Sequence, residues 1–173
     1  MGERLERVRP RVQKASRYVG GEYGQTMKDK RSVELRVAFC FPDTYEVGMS
    51  HLGMKILYGL KNARENWWCE RVFMPEEDYN KLMRENDIPL YALESLDPIK
   101  DFDFIGFTLM YELSYNNVLE LLDLAGVPVL AQDRTELTPL VIAGGPCACN
   151  PEPMADFFDL FILGEGEEVT VEL

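Results

Sequence analysis

The sequence predicts an α/β fold, a flavodoxin-like (Rossmann-like) doubly wound parallel sheet of five strands in the order 2-1-3-4-5. Short apolar runs of strand length alternate along the chain with segments of helical periodicity. Such alternation implies right-handed crossovers, which place the strands in one parallel sheet with helices on both faces. The 173 residues, 46% of them hydrophobic, suit a basic N-terminal extension at 1–32 and one α/β domain at 33–173.

The extension is expected to be irregular, with one helical turn within residues 3–16. The first strand is predicted at 35–41, an apolar run closed by proline and aspartate. A helix is predicted at 49–63, where Ser50 is available as a cap. Its apolar residues recur at helical spacing, and they are Leu52, Ile56, Leu57 and Leu60.

The second strand is predicted at 67–74, and a helix follows at 75–86 because proline and three acids suit a first helical turn. A further short strand is expected at 89–93. The third strand is predicted at 103–110 from another apolar run. The next helix, at 113–125, has one apolar face.

Gly126 ends this helix, since glycine tolerates the left-handed conformation. A brief edge strand is expected at 127–130, where a proline disfavours a central position. The fourth strand is predicted at 140–143 and a short helix at 153–157. The fifth strand is predicted at 160–163. A last helix is expected to begin at Gly166 and to continue past the final residue, so that the chain is a piece of a longer protein.

Glycine-rich turns follow the fourth and fifth strands, at Gly144-Gly145 and at Gly164-x-Gly166. In an open parallel sheet, ligands bind outside the carboxyl ends of the strands, where glycines allow close approach to the backbone. Each turn alone is equally consistent with a tight strand-to-helix connection. Four loops meet at this edge of the sheet, which we call the rim, and they are 42–53, 111–117, 144–150 and 164–168.

Charge and hydropathy exclude several classes of protein. Residues 1–31 carry nine basic and four acidic side chains, whereas the rest carries nine basic and 26 acidic ones, a net charge of −17. An acidic body makes nucleic acid an improbable partner, and the basic extension is expected to be a solvated tail or a strap across that body. No apolar run reaches membrane-spanning length and no signal peptide is present, which predicts a cytoplasmic protein without a membrane partner.

Motifs for phosphate binding are missing. No Gly-x-x-x-x-Gly-Lys-Ser/Thr run occurs, and Gly164-x-Gly166 does not continue to a third glycine. The acids of that loop also repel phosphate. A flavodoxin-like anion or flavin site is therefore the least favoured alternative. The tyrosines of two rim loops, Tyr45, Tyr111 and Tyr115, instead suit a large flat ligand, or simple packing of the loops.

Catalytic and metal signatures are equally weak. His51 is the single histidine, and no Gly-x-Ser-x-Gly elbow places a nucleophile beside it, so a capping or packing role is the commoner expectation. Cys147-x-Cys149 lacks the further nearby ligands of a four-coordinate site. We expect no catalytic residue and no metal site.

Five segments together carry a resemblance to a known family. They are residues 17–24, 41–53, 111–117, 141–153 and 164–167. Gly-Gly-Pro followed about twenty residues later by Gly-Glu-Gly-Glu resembles the end of the cobalamin-binding domain that precedes the catalytic barrel in cobalamin-dependent radical SAM enzymes. The fuller matches resemble an uncharacterised branch of that superfamily.

The resemblance implies that a corrin lies against the rim and that its nucleotide tail passes between strands at the glycines. The residues it places around the cofactor are Asp43, Thr44, Tyr45, Glu46, Gly48, Ser50, His51, Tyr111, Glu112, Ser114, Gly144, Gly145, Pro146, Gly164 and Gly166. It implies a module of a larger radical SAM enzyme, such as a methyltransferase, whose partner is its own downstream barrel. An alternative is a docking domain of the same enzyme that binds no corrin.

Two departures from the family's pattern restrict these implications. Histidine-ligating cobalamin domains use Asp-x-His-x-x-Gly, whereas Asp43 and His51 are eight residues apart here, so His51 is a poor candidate for a cobalt ligand. The Cys-x-x-x-Cys-x-x-Cys motif of the [4Fe-4S] cluster that cleaves S-adenosylmethionine is absent, and in the resembled proteins it lies further downstream. This fragment alone is therefore expected to perform no radical chemistry.

Overall fold

A computed structural model describes residues 1–169 of the chain. Five parallel strands form one sheet in the order β2-β1-β3-β4-β5, which confirms the predicted fold class and strand order. The strands are β1 (Leu35–Phe41), β2 (Trp67–Phe73), β3 (Phe104–Thr108), β4 (Leu140–Gly144) and β5 (Leu160–Phe161).

Helices lie on both faces of the sheet. The α-helices are α1 (Gly2–Val8), α2 (Tyr45–Ser50), α3 (Leu52–Asn62), α4 (Glu77–Glu85), α5 (Tyr115–Ala125) and α6 (Gly166–Val169). The longest of them in the described part of the chain has 11 residues, and none has the length and apolar character needed to cross a membrane. Any continuation of α6 lies outside the described residues.

The helix predicted at 49–63 is two helices, because His51 adopts an extended conformation between α2 and α3. His51 also takes the capping role that we expected of Ser50. Its Nδ1 accepts a hydrogen bond from the backbone N–H of Met54 at 3.1 Å, whereas the Ser50 hydroxyl donates to the carbonyl oxygen of Val47 at 2.8 Å. The serine prediction was wrong because the chain turns one residue later.

Two predicted short strands do not form. At 127–130, the backbone N–H of Val127 donates to the carbonyl of Leu122 at the end of α5. The Arg134 side chain donates to the carbonyls of Pro128 and Val129. At 89–93, pairing is limited to a single antiparallel bridge between Tyr91 and Pro98. The second segment makes one further bond to the sheet, from Leu93 N–H to the Arg71 carbonyl of β2, and neither segment satisfies its backbone groups through a ladder.

Other boundaries shift by a few residues. A 3₁₀ turn at Glu112–Ser114 precedes α5, and Gly126 ends α5 in the predicted left-handed conformation with φ of 70°. The short helix expected at 153–157 is a 3₁₀ segment at Glu152–Phe157. The fifth strand is shorter than predicted, although the N–H of Ile162 still donates to the carbonyl of Ala143.

The core is unequally divided between the two faces of the sheet. The larger cluster lies with α4 and α5, and it includes Val72, Ile105 and Val141 from the strands. The smaller cluster lies with α3 over β1 and β2, and Phe39 and Tyr58 belong to it. Within residues 1–169, the part of this second face above β3 and β4 is left open as a groove.

The N-terminal extension packs across the acidic body. Leu5 and Val8 of α1 are buried in the larger core cluster. Arg17 joins two body elements, since its Nε donates to Glu46 at 2.9 Å and its Nη1 to Glu76 at 3.0 Å. Lys14 pairs with the same Glu46 carboxylate. Opposite charges and apolar contacts together therefore hold the extension on the body as a strap.

Candidate functional site

The open sheet face forms an apolar groove of about 170 Å³ that leads up to the rim. Leu57 and Lys61 of α3 form one wall, and β1, β3 and β4 form the floor. The strand residues that line it include Val37, Phe39, Phe104, Gly106, Thr108, Ile142 and Gly144. Gly145, Gly164 and Gly166 line its end at the rim. We call this feature the groove.

Glycines keep the groove open at its centre and at its mouth. Gly106 lies in the middle of β3, between Phe39 of β1 and Ile142 of β4, and an added Cβ there would meet no atom within 4 Å. The same holds at Gly164, whose φ of 105° also disfavours a side chain. A strand glycine with empty space above it marks a place where a ligand can approach the backbone closely.

Gly145 has a different role, because the backbone is crowded around it. Its φ is 93°, and a Cβ there would lie 2.9 Å from the carbonyl oxygen and 3.0 Å from the nitrogen of Leu109. The turn is closed by hydrogen bonds from Leu109 N–H to the Gly144 carbonyl at 2.7 Å and from Cys147 N–H to the Leu109 carbonyl at 3.0 Å. Pro146 then begins a 3₁₀ segment. Gly145 is thus required to join the β3 and β4 loops.

Asp43 links the loop after β1 to the loop after β3. Its Oδ2 accepts a hydrogen bond from the Tyr111 hydroxyl at 2.6 Å, and its Oδ1 accepts one from the backbone N–H of Thr44 at 2.7 Å. The hydrogen bond to Asp43 is the main reason why the pKa of Tyr111 is raised. Asn117 ties the same loops by donating to the Pro42 carbonyl at 2.9 Å. The structure therefore brings these predicted site residues together.

Tyr45 and Glu46 are instead engaged by the N-terminal extension. The Tyr45 hydroxyl donates to Glu22 at 2.6 Å, and its ring packs edge-on against Phe73. Burial, followed by the bond to Glu22, raises the pKa of Tyr45 to about 12, so it stays neutral. The hydrogen bond from Arg17 lowers the pKa of the Glu46 carboxyl.

His51 is positioned as a helix cap rather than as a metal ligand. Its Nδ1 accepts the Met54 N–H, so the neutral ring carries its proton on Nε2 and neither nitrogen keeps a free lone pair. The ring also lies 5.2 Å from the ring of Phe41. In this tautomer His51 cannot coordinate a metal through nitrogen without giving up its cap.

Some of the remaining predicted site residues stabilise the fold, and the others are exposed at the rim or line the groove. Gly48 is required for packing, since a Cβ there would collide with the ring of Phe73. The buried Ser114 hydroxyl donates to the Tyr111 carbonyl at 2.8 Å and supports the rim from below. Glu112 is exposed beside Leu113, whose side chain is 87% exposed. Gly166 contacts Leu57 at the groove wall.

The rim carries two cysteines, Cys147 and Cys149. Burial, and secondly the charge of Glu112, raise the pKa of the Cys147 thiol, so the free thiol stays protonated at neutral pH. Cys149 is exposed. Across residues 1–169, no cluster of three or more histidine, cysteine or acidic side chains has metal-binding geometry.

Sequence reasoning missed the floor of the groove. Gly106, Thr108 and Leu113 were not among the predicted site residues, although all three lie at the groove or the rim. Gly106 carried a usable signal, because a glycine inside an apolar strand often marks a close approach. Leu113 carried none, since a leucine at a predicted helix start is expected to pack.

Comparison with known proteins places this fold in context. The family model described as "Radical SAM proteins, N-terminal" matches residues 53–173. An uncharacterised protein of Methanocaldococcus jannaschii is 31% identical over 140 residues, which cover 79% of this chain and 25% of that protein. The chain thus spans about a quarter of the length of this curated relative.

Proposed function

The chain belongs to the family of radical SAM N-terminal domains, and on that basis we propose that it is the cobalamin-binding module of a larger radical SAM protein. We propose further that it holds the cofactor without a histidine ligand to cobalt. Family membership implies that the parent protein uses S-adenosylmethionine and an iron–sulfur cluster. The cobalamin assignment goes beyond the family and rests on the groove and the rim.

The observation that carries the proposal is the groove. It is apolar and it opens at the rim. The space above Gly106 on its floor is empty, since an added Cβ there would meet no atom within 4 Å. The nucleotide base at the end of the cobalamin tail is a flat aromatic group that gains free energy by leaving water for such a surface. Phe39 and Ile142 on either side of Gly106 supply the apolar contacts.

The rim suits the corrin. The Asp43–Tyr111 hydrogen bond joins the two loops that would face the ring, and a joined rim presents a fixed surface. The exposed Leu113 on the same loop supplies an apolar contact for a large ring system. The crowded turn at Gly145 holds the third loop in place.

His51 does not fit the role of an axial ligand, because its Nδ1 is used by α3. When bound, cobalamin would supply a cobalt centre suited to group transfer such as methylation. This chain's own residues would bind and orient the cofactor: the groove takes the tail, and the rim loops face the ring. Thr44, Ser50, Ser114 and Pro146 act through the backbone geometry of those loops.

A titration of the full-length protein with hydroxocobalamin and methylcobalamin tests the proposal. We expect a shift in the visible spectrum and calorimetric binding with a dissociation constant in the micromolar range, corresponding to about 8 kcal/mol. The absence of both signals up to millimolar cobalamin would contradict it. That result would favour the alternative in which this domain only docks within the enzyme and protein covers the groove.

A further inference from the structure

The outward face of α3 is apolar. Leu52, Ile56 and Leu60 recur every four residues along the helix and are 69%, 41% and 40% exposed. The opposite face buries Met54 and Tyr58 against the sheet. We call the three exposed residues the α3 stripe. They are three of the four residues whose spacing predicted the helix, and their exposure shows that they point away from the core.

Such a face is unusual for a helix bounded by water. A surface helix normally buries its apolar stripe and presents polar residues outward. Gly59 of α3 and Ala63, which follows the helix, are also exposed, and Lys55 is the charged residue exposed on this helix. Contiguous exposed apolar residues mark an interaction surface, and one use of such a surface is to be covered by another protein element.

The identity of the covering element follows from the family and from the position of α6. The matched family describes an N-terminal domain, and the chain spans about a quarter of its curated relative, so most of such a protein lies outside this domain. Gly166 at the start of α6 packs on Leu57 of α3, where an added Cβ would be 3.3 Å from the leucine methyls. The last described helix therefore contacts α3 on the side that lines the groove, next to the side that carries the stripe.

Charge disfavours a second copy of the chain as the occupant. The chain has a net charge of −12, and like-charged bodies repel each other. An intramolecular partner is favoured instead, because a tether raises its effective concentration at the surface. We propose that the α3 stripe is the docking surface for the downstream part of the same radical SAM protein. This proposal rests on family membership and is independent of cobalamin binding.

Site-directed labelling of the full-length protein tests the docking surface in the absence of cofactor. Ile56→Cys places a thiol on the stripe, and Lys81→Cys places one on the exposed surface of α4, whose lysine side chain is 76% exposed. With a maleimide reagent and peptide mass spectrometry, we expect the thiol at position 56 to react about tenfold or more slowly than the thiol at position 81. The exposed native Cys149 serves as an internal reference for the reagent.

A second substitution shows whether slow labelling at position 56 comes from a docked partner or from burial within this domain. Adding Leu60→Glu to the Ile56→Cys variant should restore labelling to within about twofold of the rate at position 81, because a charge on the stripe disfavours burial. Unchanged circular dichroism would show that the domain remains folded. Equal labelling of positions 56 and 81 in the single variants would overturn the proposal. So would protection that disappears on dilution, which would identify a second copy as the occupant.

Discussion

The substitution Gly106→Leu is expected to weaken cobalamin binding by the full-length protein by about 100-fold or more, equivalent to about 3 kcal/mol. A leucine side chain at this position fills the centre of the groove, where an added Cβ meets no atom within 4 Å. The nucleotide base then loses its apolar contact area, which is worth about 25 cal/mol per Å². The measurement is isothermal calorimetry with hydroxocobalamin.

The fold should tolerate this change, which makes the loss of binding interpretable. Gly106 has ordinary strand geometry, and leucine there removes the cost of about 0.5–1 kcal/mol that glycine imposes inside a strand. We therefore expect the variant to be at least as stable in urea unfolding as the unchanged protein. Cobinamide, which lacks the nucleotide tail, is the matched ligand control, and its affinity should not change. An equal loss of affinity for cobalamin and for cobinamide would contradict the proposal that the nucleotide tail lies in the groove.

The substitution Gly145→Ala is expected to destabilise the protein by about 3 kcal/mol or more. The left-handed conformation and the 2.9 Å approach of a Cβ to the Leu109 carbonyl both oppose a side chain. Relief requires that the β4 loop move away from the β3 loop, which breaks the hydrogen bonds closing the turn. Urea unfolding monitored by circular dichroism measures the change in the free energy of unfolding.

Gly164→Ala is the matched control for this experiment. Its φ of 105° is equally unfavourable for alanine, but an added Cβ there meets no atom within 4 Å. In Gly164→Ala only the backbone conformation is strained, so we expect the free energy of unfolding to fall by about 1 kcal/mol. Equal destabilisation by the two substitutions would mean that crowding by Leu109 does not distinguish the two rim glycines.

Fold class and strand order were predictable because they depend on patterns that the chain carries locally. The run at 35–41 has strand length and is bounded by a proline, and it forms β1 with those limits. Right-handed crossovers then leave few ways to order the strands. The two short strands predicted at 89–93 and 127–130 failed for a local reason. The carbonyl of Pro128 accepts from the Arg134 side chain. The N–H groups of Leu90, Ala92 and Leu93 donate to carbonyls of three different elements, and only one of these carbonyls, that of Arg71, belongs to a strand.

The orientation of α3 was not predictable from periodicity. Helical spacing shows which residues share a face, but it does not show which face meets the sheet. Leu52, Ile56 and Leu60 lie on one face of α3 and are exposed. The buried face is the opposite one, which carries Met54 and Tyr58. Since both faces of α3 carry apolar residues, the sequence alone does not show which face is buried.

The candidate site was predictable in outline only. The strand order places the loops after β1 and β3 side by side, so the contact between the Asp43 loop and the Tyr111 loop could be predicted from it. The engagement of Tyr45 and Glu46 by the extension was not, because it depends on contacts of Glu22 and Arg17 that are distant in sequence. Side-chain direction at a rim is decided by such long-range partners.

The central claim is that cobalamin binds with its tail in the groove and without a nitrogen ligand on cobalt. The most direct test is the electron paramagnetic resonance spectrum of cob(II)alamin bound to the full-length protein. With the nucleotide base in the groove and His51 capping α3, we expect cobalt hyperfine lines without nitrogen splitting, and the same spectrum for His51→Ala. A triplet splitting of each cobalt line would reveal an axial nitrogen and would contradict the account.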